Sequence, residues 1–435
     1  MAGLAIRERE RSQDPRVDGI LERLLSLYPR AIDLDMGRLL GLLVKLGNPH
    51  ERLAPVLHVA GTNGKGSTCA FARAVAEAAG LRVQVYTSPH LIDFNERIRL
   101  SDGLVSHRRL ADTLELVERV NDGAAVTVFE VITAAAFVLF AEDPADLCIL
   151  EVGLGGRGDA TNVVAKPAAC AITSISIDHR DFLGDSLTGI AAEKVGIIKP
   201  GVPVVTGAQK PEVLEVFTRI AAERGAALLV RDRDWSMTPA ADGLDFADQH
   251  GSLSLPWPSL VGPHQYDNAG IAVAALRASG LMIPDRAFAT GVGQAEWAGR
   301  MQRLRGPLAR LLPGDWELWL DGAHNPGAGE ALAQHLPAWT DRPLHLVVGM
   351  KQGKDAAEFL KPILPFAASV WAVAEPSQHL ALSVADVITA SGGAARAGGT
   401  AAEALTLLTA EAPAGPARVL ICGSLYLAGA LLRQG

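Results

Sequence analysis

The chain has 435 residues, of which 49% are hydrophobic and 20% are charged, and its formal net charge is −8. One hydrophobic core seldom grows beyond ~250–300 residues, so this length favours two domains or three. The composition is that of an ordinary soluble globular protein, and the acidic balance argues against the basic surface that nucleic-acid binding requires.

Cysteine spacing and the apolar segments indicate a cytoplasmic protein. Cys69, Cys148, Cys170 and Cys422 form neither a C-x-x-C pair nor a metal-ligand pattern, and they fit small buried residues in a reducing compartment. The first residues, MAGLAIRERERSQD, lack the apolar core of a signal peptide. The longest strongly apolar run, 131–141, is shorter than the ~20 residues that span a bilayer. We therefore expect a soluble cytoplasmic monomer with no membrane partner.

Strand-like and helix-like segments alternate in the first half of the chain, which predicts a mostly parallel sheet. Gly80 is expected to end the first helix, and Asp185 or Ser186 to cap a later one. The predicted strands are 55–60, 82–87, 146–152, 168–177 and 202–207, and the predicted helices between them are 67–79 and 186–198.

The pattern changes after residue 232. From 232 to 262 the segments are short and punctuated by Gly and Pro, which favours a small antiparallel lobe. A helix is predicted at 267–280, and the stretch 291–306 is expected to be a junction. A second α/β unit then follows, with strand-like segments at 316–327, 344–350, 369–375 and 418–424.

The stretch VLHVAGTNGKGS, residues 56–67, has the composition of a phosphate-binding loop. Its three glycines let main-chain N–H groups approach an anion, and Lys65 adds a positive charge at the start of a helix. It departs from the Walker pattern, because Val59 stands where that pattern has its first glycine and Gly66 where it has Ser or Thr. A glycine-rich turn with a solvated lysine is the weaker alternative. We expect nucleotide contacts from Gly61, Thr62, Asn63, Gly64, Lys65, Gly66 and Ser67.

Three polar side chains follow predicted strands that end at one edge of the sheet. Glu151 ends an apolar strand, and a carboxylate beside a phosphate loop suits Mg²⁺, which prefers oxygen ligands. Ser88 follows the strand 82–87, and His179 follows the strand 168–177. Singly they fit a surface acid, a turn serine and a structural histidine, and imidazole is an uncommon Mg²⁺ ligand. Their convergence on one edge indicates a shared site, in which Glu151 is the expected Mg²⁺ ligand.

Nine motifs, in order and spacing, resemble those of the folylpolyglutamate synthase/dihydrofolate synthase family, a branch of the Mur ligase superfamily of ATP-dependent amide-bond ligases. They are LGNPHERLAPVLHVAGTNGKGS, TSPHL, FNERIRL, LEVGLGGRGDATN, DHRDFLGDSLTGIAAEKVGIIKPG, DNAGIA, GRMQ, LDGAHNP and CGSLYLAGA. The implied fold class is α/β. A P-loop NTPase-like domain with a mostly parallel sheet and a small antiparallel lobe would occupy residues 1–297, and a Rossmann-like α/β glutamate-ligase domain would occupy 298–435.

The resemblance implies a site with Mg²⁺, as two ions, held by Ser88, Glu151, His179 and Lys194. Composition alone would make Lys194 a helix-face lysine paired with a nearby acid. The family pattern implies instead that Lys194 is carbamylated, which turns its cation into a carboxylate-like anion. A monovalent cation is left open. The implied catalytic residues are Lys65, His179, Lys194 and Arg300.

Further nucleotide contacts are implied at four positions. Asn268 resembles a family residue that contacts the nucleotide from the first domain. Asp321 is expected to accept from ribose hydroxyls and His324 to reach a phosphate, while Arg300, in GRMQ, would contact the γ-phosphate when the domains close. Without the resemblance, a capping Asp, a turn His and a surface Arg describe the last three equally well.

The implied folate site is drawn from three short segments, Ile32, Asp33 and Leu34; Thr127, Phe129 and Glu130; and Gly158, Asp159 and Ala160. Phe129 would stack on the pterin ring, with ordinary core packing as the alternative, and Asp159 would hydrogen-bond the amino-pyrimidine edge. Two departures from the family pattern matter. Many relatives have Leu at the position of Gly158, and an Arg where this chain has Gln378 or His379, which leaves open how the second domain holds glutamate.

The implied activity is that of a bifunctional dihydrofolate synthase/folylpolyglutamate synthase. ATP would phosphorylate a carboxylate of dihydropteroate or of the glutamate tail of a reduced folate, and the amino group of L-glutamate would then displace phosphate. Three alternatives stay open: folylpolyglutamate synthase activity alone, another Mur-type amide ligase, and a P-loop ATPase or kinase. The cell-wall ligases need a UDP-sugar-binding domain of ~100 residues, and the 57 residues before His58 are too few for it.

Overall fold

A computed structural model of the chain describes residues 12–27, 35–411 and 415–434. Three of the predicted folate residues, Ile32, Asp33 and Leu34, lie outside the described residues. The chain divides into two units. The first comprises the chain up to Ile175 with 179–259 and 265–296, and the second comprises 176–178, 260–264 and 297 onwards. The predicted functional domains, 1–297 and 298–435, stay a prediction.

The first unit is built on an α/β sheet whose strands are β1 (Val56–Ala60), β2 (Val83–Tyr86), β3 (Ile98–Leu100), β4 (Gly103–Leu104), β5 (Leu147–Glu151), β6 (Ala169–Ile172), β7 (Val204–Thr206) and β8 (Leu228–Val230). Their order across the sheet is β4-β3-β2-β5-β1-β6-β7-β8. From β2 to β8 the neighbours are parallel, whereas β2–β3 and β3–β4 are antiparallel. Strands β1, β2, β5, β6 and β7 are buried along their whole length, as in parallel sheets that are covered on both faces.

Helices cover this sheet, and an antiparallel lobe extends from it. The helices are α1 (Pro15–Leu27), α2 (Gly37–Lys45), α3 (Lys65–Ala78), α4 (His107–Asn121), α5 (Val128–Glu142), α6 (Arg180–Leu183), α7 (Leu187–Lys194), α8 (Pro211–Glu223), α9 (His264–Ala278) and α10 (Asp285–Gln294). The lobe is a three-stranded antiparallel sheet of β9 (Trp235–Ala240), β10 (Gly243–Asp248) and β11 (Gly251–Leu255). It lies where Gly and Pro punctuation predicted it.

The second unit holds a smaller α/β sheet. Its strands are β12 (Gln302–Arg303), β13 (Glu317–Leu320), β14 (Leu344–Val348), β15 (Ser369–Val373), β16 (Ala395–Gly399) and β17 (Arg418–Cys422), in the order β12-β13-β17-β14-β15-β16. Only the β12–β13 pair is antiparallel among these strands. The helices of this unit are α11 (Pro326–His335), α12 (Ala356–Leu360), α13 (Val384–Ala390), α14 (Ala401–Glu411) and α15 (Leu425–Leu432).

Several element ends differ from the sequence-based expectation. Gly80 takes a positive φ of 82° two residues after the last residue of α3, and the Ser186 hydroxyl accepts from the N–H of Gly189, so both predicted caps are present. The strand expected at 168–177 ends at Ile172, because the chain leaves the sheet there to reach the loop before α6.

The expected junction at 291–306 contains the boundary between the two units, which falls between Glu296 and Trp297. Its first residues, up to Gln294, are the end of α10, and Gly291 on this helix serves close helix packing. A Cβ atom at this position would collide with the main chain of Val75 on α3. Within the described ranges, the helices are too short or too polar to cross a membrane.

The close contact of α10 with α3 gives a stability prediction. Gly291→Ala should lower the free energy of unfolding by about 1–3 kcal/mol, because the added methyl group forces two main chains apart. Gly41→Ala is the matched control, since an alanine methyl at Gly41 on α2 meets no atom within 4 Å. That variant should be neutral or stabilised by up to about 1 kcal/mol. Urea denaturation measures both, and equal stability of the two variants would contradict the packing.

Candidate active site

The loop between β1 and α3 depends on glycine at two positions. Gly61 has a φ of 145° and Gly64 a φ of 89°, which side chains with a Cβ rarely adopt. Space is also lacking, because a Cβ at Gly61 would collide with the Thr173 hydroxyl and one at Gly64 with the Asn268 amide. The predicted loop residues are therefore held in one tight turn at the N-terminus of α3, where N–H groups favour an anion.

Two lysines meet at one carbonyl group of this loop. The Lys65 Nζ donates to the carbonyl oxygens of Gly61 at 3.1 Å and Thr62 at 3.2 Å. The Lys194 Nζ, which is buried, donates to the same Gly61 oxygen at 2.9 Å. The structure thus brings together two residues that lie 129 positions apart (194 − 65) and that the sequence had assigned separately to nucleotide and metal.

Ser67 presents a buried hydroxyl in the first turn of α3. Its Oγ has no hydrogen-bond partner among the described residues. A buried polar atom normally has a partner, so an unpartnered one at a predicted phosphate site indicates a ligand contact. Asn268 supports the same turn from α9, where its main-chain oxygen accepts from the Thr68 hydroxyl at 3.4 Å and its amide donates to Gln265.

The polar residues predicted at the sheet edge lie at or after the ends of β2, β5 and β6. Strands β5 and β6 flank β1 in the sheet order, and β2 lies next to β5. The Glu151 carboxylate is buried at the end of β5, and its Oε2 accepts the main-chain N–H of Ser88 at 3.3 Å. His179 is exposed and directly precedes α6, with a positive φ of 53°. No three His, Cys, Asp or Glu side chains form a metal-binding group in the ranges that the structure describes. The proposed site has only two such residues, so its ligand set stays a prediction.

Two of the predicted folate segments lie together in the first unit. The Phe129 ring lies against Gly153, where a Cβ would collide with it, and the Tyr86 ring is 6.2 Å away between centroids. The Asp159 carboxylate is buried and accepts from the main-chain N–H of Leu154 at 2.9 Å, one residue beyond Gly153. Burial raises the pKa of Asp159, while hydrogen bonds from Thr161 and the backbone oppose that rise.

Thr127 and Glu130 have a structural role that the sequence analysis did not assign. They form a capping box at the start of α5, in which the Thr127 hydroxyl accepts from the Glu130 N–H and the Glu130 carboxylate accepts from the Thr127 N–H. Glu130 is also paired with Arg38 at 3.0 Å. Their predicted contact with folate stays a prediction.

In the second unit, Asp321 organises the turn that contains Arg300. Its two carboxylate oxygens accept the main-chain N–H groups of Met301 and Ala323, each at 2.7 Å. Burial raises the pKa of Asp321, and the positive charge of Arg300 acts in the opposite direction. The Arg300 guanidinium donates to the Gly299 oxygen at 3.0 Å. The structure brings these two predicted nucleotide residues together, and their contact with ribose or phosphate stays a prediction.

His324 belongs to a half-buried polar cluster centred on Asp178. The Asp178 carboxylate forms a short ion pair with Lys354 and accepts from the Asn325 amide at 2.9 Å, and the His324 Nε2 is 3.8 Å away. Burial lowers the pKa of His324 to about 4, and the nearby Lys354 charge acts in the same direction. Asp178, Lys354 and Asn325 were not among the site residues predicted from the sequence. Asp178 precedes the predicted ligand His179 directly, which was an available signal.

Gln378 and His379 occupy the position where family members were expected to have an arginine. Both are buried in the second unit. The Gln378 amide donates to the Met350 oxygen at 3.0 Å, and the His379 ring lies 5.1 Å from the Tyr426 ring between centroids. These side chains thus have structural neighbours of their own in this chain.

Comparison with known proteins matches both halves of the chain. The model described as the Mur ligase middle domain matches residues 59–276, and the one described as the dihydrofolate synthetase C-terminal domain matches residues 308–434. The dihydrofolate synthase/folylpolyglutamate synthase of Escherichia coli strain K12 is 37% identical over 340 residues, which are 78% of this chain and 76% of that protein. The chain belongs to the folylpolyglutamate synthase/dihydrofolate synthase family of Mur ligases.

Solved structures of this family match the whole fold. Escherichia coli FolC in complex with DHPP and ADP has a TM-score of 0.87 and 32% identity, with 97% of this chain and 98% of that chain covered. A bifunctional folylpolyglutamate synthase/dihydrofolate synthase with Mn, AMPPNP and L-glutamate bound has a TM-score of 0.83 and 31% identity, with 95% and 97% covered. The α/β fold class, with its antiparallel lobe and second α/β domain, is confirmed.

Three histidines with lowered pKa values give this family member a predictable response to acid. Burial lowers the pKa of His58 to about 3 and those of His264 and His324 to about 4. In the unfolded chain each titrates near ~6.5, so unfolding takes up protons below that pH. Folding stability should therefore be complete above about pH 6.5 and fall as the pH drops towards about 4, by up to about 1.4 kcal/mol per pH unit for each histidine.

The variant His324→Gln isolates one of these contributions. Urea denaturation near pH 7 and near pH 5 should show a loss of stability that is about 2 kcal/mol smaller in the variant than in the wild-type protein. An identical loss in both proteins would mean that His324 is not held neutral in the folded state.

Proposed function

We propose that this chain is a bifunctional dihydrofolate synthase and folylpolyglutamate synthase that ligates L-glutamate to dihydropteroate and to the glutamate tail of tetrahydrofolate. As a family member it is an ATP-dependent amide ligase that releases ADP and phosphate, and its cofactors are ATP and a divalent metal. The ligation passes through an acyl phosphate of the acceptor carboxylate. We further propose that the protein is a cytoplasmic monomer with small-molecule partners only.

The observation that carries this proposal is the arrangement at the end of β1. A tight glycine turn, the Lys65 amino group and the unpartnered Ser67 hydroxyl occupy one strand-to-helix junction. The buried Glu151 carboxylate belongs to the last residue of the neighbouring strand β5. Phosphate groups need N–H donors and a cation, and a divalent metal needs hard oxygen ligands, so this edge suits a metal–nucleotide complex.

The donor set fits a divalent cation. Glu151 supplies a carboxylate and Ser88 a hydroxyl, and the main chain of Ser88 already contacts that carboxylate. His179 and a carbamylated Lys194 are proposed as ligands of a second ion. A metal ion bound there would neutralise charge on the phosphate oxygens, which is the usual contribution of Mg²⁺ to phosphoryl transfer.

The residues of the chain have separate tasks in this reaction. Lys65 and the N–H groups at the start of α3 would bind the phosphates and stabilise the charge that develops on them. Phe129 would stack on the pterin ring and so orient the whole substrate. The carboxylate of the substrate would then be held for attack on the γ-phosphate of ATP. Arg300, Asp321 and His324 are proposed to contact the nucleotide, and the cluster of Asp178 with Lys354 offers both charges that a zwitterionic amino acid requires.

A P-loop ATPase or kinase is the alternative from a different class, and one assay separates it from a ligase. Purified protein is incubated with ATP, labelled glutamate and either dihydropteroate or tetrahydrofolate. A ligase produces labelled folate and ADP that depends on glutamate, whereas an ATPase produces ADP without glutamate. Labelled product with both acceptors supports two activities. Labelled product with tetrahydrofolate alone supports folylpolyglutamate synthase activity only. The absence of labelled product with either acceptor would contradict the proposal.

The same assay tests the role of Lys65. Lys65→Met should reduce the rate of ligation at least about 100-fold, because a charge that stabilises the transferring phosphoryl group is lost. Lys210→Met, at an exposed lysine before α8, is the control and should keep activity within about 2-fold of wild type. Equal activity of the two variants would remove Lys65 from the phosphate site.

The proposed carbamate on Lys194 has its own test. The Lys194 Nζ is buried and donates to the Gly61 oxygen, and a carbamate nitrogen keeps one N–H for that bond. Mass spectrometry under native conditions should therefore show one added CO₂ on the wild-type protein and none on Lys194→Met. A native mass equal to the unmodified sequence would exclude the carbamate and leave a lysine cation beside the phosphate loop.

A further inference from the structure

A buried chain of hydrogen bonds links β1 to the proposed pterin loop. His58 lies in the middle of β1 and is fully buried. Its Nε2 is 2.8 Å from the Oγ1 of Thr161, and that hydroxyl is 2.6 Å from the Oδ1 of Asp159. Thr161 and Asp159 are also buried, so water does not compete for these bonds.

The Asp159 carboxylate determines which group donates and which accepts in each of these hydrogen bonds. The Asp159 oxygens accept the main-chain N–H groups of Leu154 and Thr161, each at 2.9 Å, so the carboxylate acts as an acceptor. The Thr161 hydroxyl therefore donates its single proton to Asp159. Its oxygen must then accept from His58, which fixes the neutral imidazole with its proton on Nε2.

The surroundings of the other imidazole nitrogen, Nδ1, indicate that packing alone does not explain why position 58 is a histidine. The Nδ1 of His58 is buried and has no hydrogen-bond partner among the described residues. Leaving a polar atom buried in this way costs about 1–3 kcal/mol, which an apolar side chain in a fully buried strand would avoid. The hydrogen bond that the ring does make is the one from Nε2 to Thr161, so we infer that the histidine is present for this hydrogen bond.

This series of hydrogen bonds connects two proposed substrate sites, with His58 at one end and Asp159 at the other. His58 is three residues before Gly61, whose carbonyl accepts from Lys65 and Lys194. At the other end, the Asp159 carboxylate fixes the turn that includes Leu154, and the adjacent Gly153 lies against Phe129. The rigid strand that leads into the phosphate loop therefore also determines where the pterin loop sits.

We propose that His58 is a positioning residue for the pterin substrate: it donates to Thr161, which in turn donates to Asp159, and so holds the loop from Gly153 to Thr161 in the conformation that accepts the pterin. The inference rests on the proposed function. His58 contacts neither substrate, and its effect passes through Thr161. Its loss should weaken binding of dihydropteroate and leave binding of ATP unchanged.

Four variants test this with steady-state kinetics and direct binding. His58→Leu and Thr161→Val each remove one link, and each should raise the KM and the Kd for dihydropteroate about 10-fold or more, with kcat and the KM for ATP within about 3-fold of wild type. His58→Gln keeps an N–H where Nε2 was, and Thr161→Ser keeps the hydroxyl, so both should remain within about 3-fold of wild type. Combining His58→Leu with Thr161→Val should add little, because both break the same chain of bonds.

The outcomes separate this inference from the proposed function. If the wild-type protein binds no dihydropteroate, both proposals fail. If wild type binds and ligates it while His58→Leu and Thr161→Val bind it as tightly, only the role of His58 is overturned. Equal losses for ATP and dihydropteroate, or no rescue by His58→Gln, would also overturn it, since they indicate general damage to the fold. Should His58→Leu not fold, the near-isosteric Thr161→Val gives the same decision.

Discussion

The carbonyl oxygen of Gly61 is the acceptor on which the proposed active site depends. It accepts from Lys65 at 3.1 Å and from Lys194 at 2.9 Å, so one main-chain group fixes two cationic side chains. The position of that carbonyl is itself fixed, because Gly61 has a φ of 145° and lies against Thr173, the residue that follows β6. Any residue with a Cβ at this position would displace both lysines together.

The same support extends from the phosphate loop to the proposed folate site. A Cβ at Gly156 would collide with the main-chain oxygens of Glu193 and Lys194, and the N–H of Arg157 donates to the Glu193 oxygen at 2.9 Å. The segment that holds Asp159 therefore packs on the helix end that positions Lys194. This arrangement suits a ligase, in which a phosphate and an acceptor carboxylate must be held together for the transfer.

The sequence predicted the parts of the site that follow from regular alternation. Apolar strands with polar residues at their ends predicted that Glu151 and the glycine loop share one edge of the sheet, because parallel strands share one carboxyl edge. The structure adds that their strands, β5 and β1, are neighbours. The sequence did not predict the ion pair of Asp178 with Lys354, which joins residues 176 positions apart. The sequence also did not predict that Glu130 caps α5, because Thr and Glu side chains can either cap a helix or bind a ligand. The close packing of α10 on α3 at Gly291 was also not predicted, because a glycine that breaks a helix and one that lets two helices touch look alike in a sequence.

In the proposed reaction, the nucleotide activates a carboxylate of the folate substrate. An oxygen-transfer experiment tests this step: the acceptor carboxylate of dihydropteroate is labelled with a heavy oxygen isotope, the protein completes ligation with ATP and L-glutamate, and mass spectrometry measures the isotope content of the released phosphate. An acyl phosphate leaves one substrate oxygen on the phosphate, so we expect one labelled oxygen per phosphate formed. Unlabelled phosphate released in step with labelled folate product would contradict it.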